Sequence, residues 1–364
     1  ILFGRERKDN LEDELVLDCE ESGSTLRFLM PVALLQNRPA VFRGKGRLMQ
    51  RPQKPYFDLF DKAGISYQTN EDSIRIAGRL KPGNFKLPGN VSSQFVSGLL
   101  FALPLLPKAS TIEITTEMES KGYVDLTLSV LKNFGIRVEN QNYRRFKVPG
   151  GQKYQGRNYR VESDYSQAAF FLVAGALGCD IRCQGLRPDS LQGDKKILDI
   201  LTQAGAKLKT FSDGSVQAYP TTNMHGVVID AREIPDLVPI LAVLCAFCKG
   251  ESRIINAGRL RMKESDRLAA VSSELSRLGL TVEEGTDSLT IFGQQTLYGE
   301  TVSAWNDHRI AMALAIAACR CEGVVSITGA TEAVTKSYPD FFQVYQRLQT
   351  GPESLLEFGR TITH

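Results

Sequence analysis

Ser22-Gly-Ser-Thr-Leu-Arg-Phe-Leu29 is a short polar turn that runs straight into a helix of small and apolar residues. The same design returns as Val91-Ser-Ser-Gln-Phe-Val-Ser-Gly98, Asp164-Tyr-Ser-Gln-Ala-Ala-Phe-Phe171, Pro235-Asp-Leu-Val-Pro-Ile-Leu-Ala242 and Asn306-Asp-His-Arg-Ile-Ala-Met-Ala313. Ser24, Ser93 and Ser166 stand 69 and 73 residues apart, and Asp164, Asp236 and Asp307 stand 72 and 71 apart. A second marker obeys the same period. Gly64, Gly135, Gly205 and Gly279, each placed to end a helix and lead into a strand, are separated by 71, 70 and 74 residues. Two independent markers with one period define a repeat.

Each unit therefore reads as two helices with alternating strands, such as Ile74-Arg-Ile-Ala77 and Thr111-Ile-Glu-Ile-Thr115. A period near seventy residues is too long for a simple solenoid, so the units are expected to assemble into two α/β domains. The polar stretch Pro149-Gly-Gly-Gln-Lys-Tyr-Gln-Gly-Arg-Asn158 puts the boundary close behind it. The expected division is an N-terminal domain over 1–162, a C-terminal domain over 163–349 and a tail over 350–364 that opens Thr350-Gly-Pro352.

The 364 residues are 42% hydrophobic and 23% charged, which suits a folded protein with sizeable cores and not a disordered chain. No apolar run approaches the roughly 18 residues of a spanning helix, so no membrane partner is expected. Lys+Arg (44) and Asp+Glu (41) nearly cancel, which argues against nucleic acid. The small positive excess matters only if it is gathered in one cleft. Seven cysteines form no evenly spaced framework, and Cys245 and Cys248 lie in an apolar run with no His nearby. They read as buried structural thiols in a reducing cytoplasm, not as a redox or zinc site.

The repeat has a chemical consequence. A helix begins with unpaired N–H groups and the positive end of its dipole, so it attracts anions. In all five copies the polar residues sit at that start. The plainer reading is that Ser22, Ser92, Asp164 and Asp307 are only N-caps. Conspicuous cations accompany them, however: Arg27, Arg51, Lys263, Arg267, Arg309 and Lys336. Arginine grips phosphate or carboxylate with two parallel hydrogen bonds. Lys263 and Arg267, four apart, are expected to share one helix face.

Together these segments resemble the 5-enolpyruvylshikimate-3-phosphate synthase family, the 3-phosphoshikimate 1-carboxyvinyltransferases. The resemblance is carried by Ser22-Gly-Ser-Thr-Leu-Arg27, Gln50-Arg-Pro52, Ser92-Ser-Gln-Phe95, Ser120-Lys-Gly-Tyr123, Ile234-Pro-Asp236, Lys263-Glu-Ser-Asp-Arg267, Asn306-Asp-His-Arg309 and Lys336-Ser-Tyr-Pro-Asp340. It runs from about Val16 to Leu348. It implies a two-domain inside-out α/β barrel of βαβαββ units, five recognisable here and a sixth largely missing at the N-terminus. It also implies transfer of the enolpyruvyl group of phosphoenolpyruvate to the 5-hydroxyl of shikimate 3-phosphate, with release of phosphate. Neither metal nor organic cofactor is implied, and the enzyme is expected to be a cytoplasmic monomer.

Roles are implied by the resemblance, residue by residue. Ser92, Ser93 and Ser120 would hold the shikimate phosphate, Gln94 would span both substrates, and Tyr123 would line the shikimate side. Arg51, Arg267, Arg309 and Lys336 would bind phosphoenolpyruvate, with Gly23 allowing close backbone approach. Asp236 would orient and deprotonate the 5-hydroxyl, Lys263 would contact the same ring, and Arg259 is a further candidate there. Glu264 would protonate the methylene carbon, with His308 alongside. The chemistry asks for such a set in any case, because adding an alcohol across an enol ether needs one proton donor and one base.

Three departures stand out. Glu21 occupies a position where Asn is common in the family, and Ser24 one where Thr is common. The family's Lys-Ser…Asn-Arg helix start occurs nowhere, so its three substrate contacts are assigned to no residue. By the repeat, a sixth unit would need roughly 70 residues upstream of Ile1. Two other readings stay open at this level: a UDP-N-acetylglucosamine enolpyruvyl transferase, with the same fold and donor, and an inactive, truncated binding fragment of the synthase.

Overall fold

The computed structural model describes residues 14–179, 181–293 and 296–349. The proposed tail over 350–364 lies outside the described residues. The chain divides into two compact units, with the break between Arg157 and Asn158, and each has its own hydrophobic core.

The first unit holds two copies of one motif. The first copy is β1 (Leu15–Asp18), α1 (Gly23–Ala33), β2 (Ala40–Arg43), α2 (Lys54–Ala63), β3 (Ser66–Thr69) and β4 (Ser73–Ala77). The second is β5 (Asn84–Leu87), α3 (Ser93–Ala102), β6 (Ser110–Ile114), α4 (Lys121–Asn133), β7 (Glu139–Gln141) and β8 (Arg145–Val148). Their sheets have orders β1-β2-β4-β3 and β5-β6-β8-β7. In both, the first two strands are parallel and the remaining pairings antiparallel. The first helix of each motif supplies the crossover that a parallel pair requires, and a short turn suffices for the closing hairpin.

The second unit repeats the motif with losses at its edges. Its first copy has α5 (Tyr165–Ala174), β9 (Ile181–Cys183), α6 (Ile197–Gln203), β10 (Lys207–Thr210) and β11 (Val216–Tyr219). The resulting sheet, β10-β11-β9, lacks the leading parallel strand. The next copy is complete: β12 (Val228–Asp230), α7 (Val238–Ala246), β13 (Gly250–Ile255), α8 (Arg267–Arg277), β14 (Thr281–Glu284) and β15 (Leu289–Gly293). The last copy pairs β16 (Leu297–Tyr298) with β18 (Cys321–Glu322), and β17 (Thr301–Ser303) with β19 (Ser326–Thr328). It contains α9 (His308–Ala318) and finishes in α10 (Ala330–Val334) and α11 (Phe341–Gln349). Among the described residues five repeats are thus present, three of them complete as βαβαββ.

Helix burial explains the two helix types in each repeat. Every residue of α7 and of α9 is buried, as expected for helices that are apolar all round. By contrast, α2 and α8 bury one stripe and expose the other. The apolar helices α7 and α9 therefore lie in the interior of the second unit. Gly64, Gly135, Gly205 and Gly279 have φ of 67°, 81°, 90° and 94°, the left-handed conformation that ends a helix.

Small residues let the inner helices approach closely. A Cβ added at Gly98 of α3 would lie 2.2 Å from Tyr56 Oη and 2.3 Å from the Arg27 carbonyl oxygen of α1. That carbonyl already accepts a hydrogen bond from Tyr56 Oη at 2.9 Å, so neither atom can retreat freely. Gly98→Ala is expected to destabilise the protein by about 1–3 kcal/mol, read as a lower urea midpoint. An unchanged midpoint would show that α1 and α3 have slack at this crossing.

Candidate active site

In the first unit the helix starts are tied together by Arg27, a buried residue of α1. Its Nη1 donates to Gln94 Oε1 of α3 at 2.9 Å, its Nη2 to the Pro52 carbonyl at 3.0 Å and its Nε to Gln53 Oε1 at 3.4 Å. The guanidinium also lies 4.8 Å from the centroid of the Phe95 ring. Arg27 thereby fixes the Gln94 amide, while Ser92 Oγ caps α3 by accepting from Gln94 N at 3.3 Å. Gly23, the first residue of α1, faces Arg51: a Cβ there would stand 2.8 Å from Arg51 Nη1. A side chain there would push the Arg51 guanidinium aside. Ser93 and Ser120 are buried, and Ser120 enters α4 with φ 56°, a left-handed conformation uncommon outside glycine. Tyr123 sits in the first turn of α4, where its carbonyl accepts from Thr127 Oγ1 at 2.9 Å.

The second unit carries the denser cluster. Arg267 opens α8 and is only 1% exposed. Its Nε donates to Asp307 Oδ2, its Nη1 to Asp236 Oδ1 and its Nη2 to Glu264 Oε2, each at 2.8 Å. Lys263 Nζ donates to the same Asp236 Oδ1 at 3.1 Å. Arg309 Nη2 lies 3.5 Å from Asp236 Oδ2 and donates to Ser166 Oγ of α5 at 3.0 Å. Asp307 is fully buried: it takes a further bond from Ser265 Oγ at 3.0 Å and caps α9 by accepting from Arg309 N at 2.9 Å. Lys336 Nζ donates to the Asn306 carbonyl, and Arg259 Nη2 to the Arg232 carbonyl at 2.6 Å.

One expectation is corrected here. Lys263 and Arg267 do not share a helix face, because α8 begins only at Arg267, behind its Asp266 N-cap. Lys263 comes after the short turn Gly258–Met262 with extended backbone. The loop between them folds both cations back onto one oxygen of Asp236. The N-cap reading of Ser22, Ser92, Asp164 and Asp307 is correct for all four, since each side chain accepts a backbone N–H in the first turn. Asp236 differs: it lies in the single turn Pro235–Leu237 ahead of α7, and its carboxylate serves the cations.

The electrostatics result from this packing. Burial alone would raise the Asp236 carboxyl, but Lys263, Arg309 and Arg267 outweigh it and hold the group well below the usual carboxylate range. Asp307 is likewise held low, with Arg267 overcoming its burial. Burial, aided by Arg309 and Arg267, pushes the His308 imidazole down to about 4. It is therefore neutral near pH 7. Its Nδ1 is buried, 3.9 Å from Asp307 Oδ1, with no hydrogen-bond partner among the described residues.

The segment that leads into α9 is held by α8 as well. Glu274 Oε1 accepts from Trp305 Nε1 at 2.7 Å, and Oε2 accepts from Ser303 N at 2.9 Å. Arg267 and Glu274 are two helical turns apart and so face the same way. Trp305 and Asn306 adopt φ of 53° and 51°, and the two grips of α8 bracket this strained pair. Sequence reasoning missed Glu274, Ser166 and the anchoring role of Asp307.

Solved structures share this architecture. EPSP synthase from Acinetobacter baumannii matches with a TM-score of 0.73 and 26% identity, over 92% of this chain and 79% of that one. The enolpyruvyl transferase NikO from Streptomyces tendae matches with a TM-score of 0.71 over 89% of this chain and 76% of that one; at 19% identity it speaks for the fold alone. The fold is therefore the two-domain α/β fold of the enolpyruvyl transferases. More narrowly, the family model for EPSP synthase (3-phosphoshikimate 1-carboxyvinyltransferase) matches residues 3–345, and the chain belongs to that family. Relatives named 3-phosphoshikimate 1-carboxyvinyltransferase include those of Clostridium acetobutylicum (51% identical, 93% of this chain and 78% of the relative) and Clostridium novyi (50%, 95% and 79%). Another is that of Clostridioides difficile (47%, 95% and 79%).

Two outcomes test the cluster. Arg267→Lys keeps the charge but loses the planar fork, and is expected to cost about 1–3 kcal/mol in denaturant titration, because some of the buried hydrogen bonds to the carboxylates are left unmade. For His308, the ordinary value is 6.5 and the folded value about 4. Between these the unfolded chain binds a proton that the folded one refuses. Stability from this group is therefore complete above pH 6.5 and falls as pH drops towards 4, by about 3 kcal/mol in all. Denaturant titrations at stepped pH should show a shallower fall for His308→Gln; identical slopes would assign the pH dependence to other groups.

Proposed function

We propose that this protein transfers the enolpyruvyl group of phosphoenolpyruvate to the 5-hydroxyl of shikimate 3-phosphate and releases phosphate, a step of aromatic amino-acid biosynthesis. The reading rests on family membership. The observation that carries it to the residues is the convergence of Lys263, Arg267 and Arg309 on one ionised carboxylate, Asp236.

In this reading Asp236 orients the 5-hydroxyl and takes its proton, and Glu264 delivers a proton to the methylene carbon of phosphoenolpyruvate. The oxygen adds to the carbon that bears the phosphate; Glu264 then takes back a proton from the methyl group and the proton held by Asp236 leaves with the phosphate, which restores the double bond and both side chains. Asp236 is held too acidic by its three cations to be a strong base on its own. Substrate phosphate and carboxylate groups that draw on Arg267, Arg309 and Lys263 weaken that field and raise its basicity. Substrate anions therefore switch on the base they need. Neutral His308 adds no charge beside Glu264, which suits a neighbour of a proton donor.

Arg51 and Lys336 complete the grip on phosphoenolpyruvate, with Gly23 beside it. Ser92, Ser93 and Ser120 hold the shikimate phosphate, Gln94 is steadied by Arg27 to reach both substrates, and Tyr123 and Arg259 bound the shikimate ring. We take the enzyme to act as a monomer in the cytoplasm, on small anions alone.

Phosphate release by the full gene product should require both phosphoenolpyruvate and shikimate 3-phosphate. Turnover with UDP-N-acetylglucosamine in place of shikimate 3-phosphate would overturn the acceptor. Asp236→Asn keeps the shape and removes the charge, so kcat should fall by about 10²–10⁴-fold. Calorimetric binding of shikimate 3-phosphate should survive that change. A wild-type kcat would remove Asp236 from the chemistry.

A further inference from the structure

Residues 304–307 form the tight turn that joins β17 to α9. The Ala304 carbonyl accepts from Asp307 N at 2.9 Å, and the two central residues, Trp305 and Asn306, have φ of 53° and 51°. Two consecutive positive φ values belong to a turn that ordinarily takes Gly, Asn or Asp at both positions. Asn306 suits it. The bulky Trp305 does not, so the turn persists only where its surroundings hold it.

Glu274 of α8 supplies that hold. The residue is 4% exposed, and its two oxygens take different parts of the turn. Oε2 accepts from Ser303 N at 2.9 Å, where β17 ends, and Oε1 accepts from Trp305 Nε1 at 2.7 Å. Ser273 Oγ also donates to Oε1 at 3.2 Å, and Arg277 Nε lies 4.0 Å from Oε2. One carboxylate thus grips both the backbone that enters the turn and the side chain at its first central position. Two site contacts start from the same turn. The Asn306 carbonyl accepts from Lys336 Nζ, and Asp307 meets Arg267 while it caps the helix that begins His308-Arg309.

We propose that Glu274 is a positioning residue for phosphoenolpyruvate: through Ser303 and Trp305 it fixes the turn that sets Lys336 and Arg309. The inference rests on the reading above that gives those two cations to phosphoenolpyruvate. A carboxylate is needed because two N–H donors face one side chain. An amide offers one acceptor oxygen and, on its other arm, a donor. Glu274→Gln therefore keeps the volume but leaves either Ser303 N or the indole N–H without its acceptor.

Steady-state kinetics of the full gene product test this. In Glu274→Gln the KM for phosphoenolpyruvate should rise about tenfold, the worth of one buried hydrogen bond. The KM for shikimate 3-phosphate should stay at the wild-type value. A merely structural role would lower the urea midpoint and the amount of active enzyme but leave both KM values alone. A wild-type KM for phosphoenolpyruvate would therefore overturn the proposal. Trp305→Phe removes only the indole donor, at an exposed residue, and should raise the same KM. It carries the test if Glu274→Gln fails to fold. The turn is also read without substrate: amide hydrogen exchange over residues 303–309 should quicken in either variant, while β13 keeps its wild-type rate. Unchanged exchange over 303–309, or a rise spread through the whole second unit, would overturn the role of Glu274. Absence of wild-type turnover with phosphoenolpyruvate and shikimate 3-phosphate would instead overturn the substrate reading, and the exchange comparison would still judge Glu274.

Discussion

A guanidinium that is almost fully removed from water is tolerable only when every face of it is met by an acceptor, and Arg267 imposes that condition on the whole second unit. The effective cost of burying such an ion is several kcal/mol, recovered only by good geometry on all sides. Its acceptors come from three places: Asp236 ahead of α7, Glu264 ahead of α8, and Asp307 at the cap of α9. The starts of these helices must therefore meet at one point. Convergence of helix starts, which gives the site its positive field, is here enforced by one arginine's need for partners.

The same cluster is electrically balanced within itself. Asp236, Glu264 and Asp307 face Lys263, Arg267 and Arg309, three charges against three. An arriving anion does not meet bare cations; it competes with carboxylates for donors that are already oriented. Affinity is thereby moderated while geometry is kept, which favours an enzyme that must also let its products go. In the first unit the neutral Gln94 and Gln53 amides take the corresponding place beside Arg27, so the two units solve the problem of a buried arginine differently.

The repeat was legible in the sequence because each copy makes the same backbone demands at the same places. A polar cap, an apolar small-residue helix and a left-handed glycine are local requirements, and Gly64, Gly135, Gly205 and Gly279 meet the last of these. The residues that gather at Asp236, namely Lys263, Glu264, Arg267 and Arg309, were legible as motifs. Their geometry was not. Spacing of four implies one helix face only if the helix spans both residues, and the Asp266 cap cuts it between Lys263 and Arg267. The bond from Arg309 to Ser166 crosses 143 positions, and nothing local announces it. The leading strand absent from the β10-β11-β9 sheet was also invisible, because the helix markers of that copy are intact.

The chain contains a single tryptophan. Trp305 stands two residues before Asp307 in a left-handed conformation, its indole N–H held by Glu274 and the residue as a whole 37% exposed. Tryptophan emission from this chain therefore comes from one known position, at the entrance to the helix that carries His308 and Arg309. The chain thus carries a built-in optical probe of the surroundings of the α9 cap.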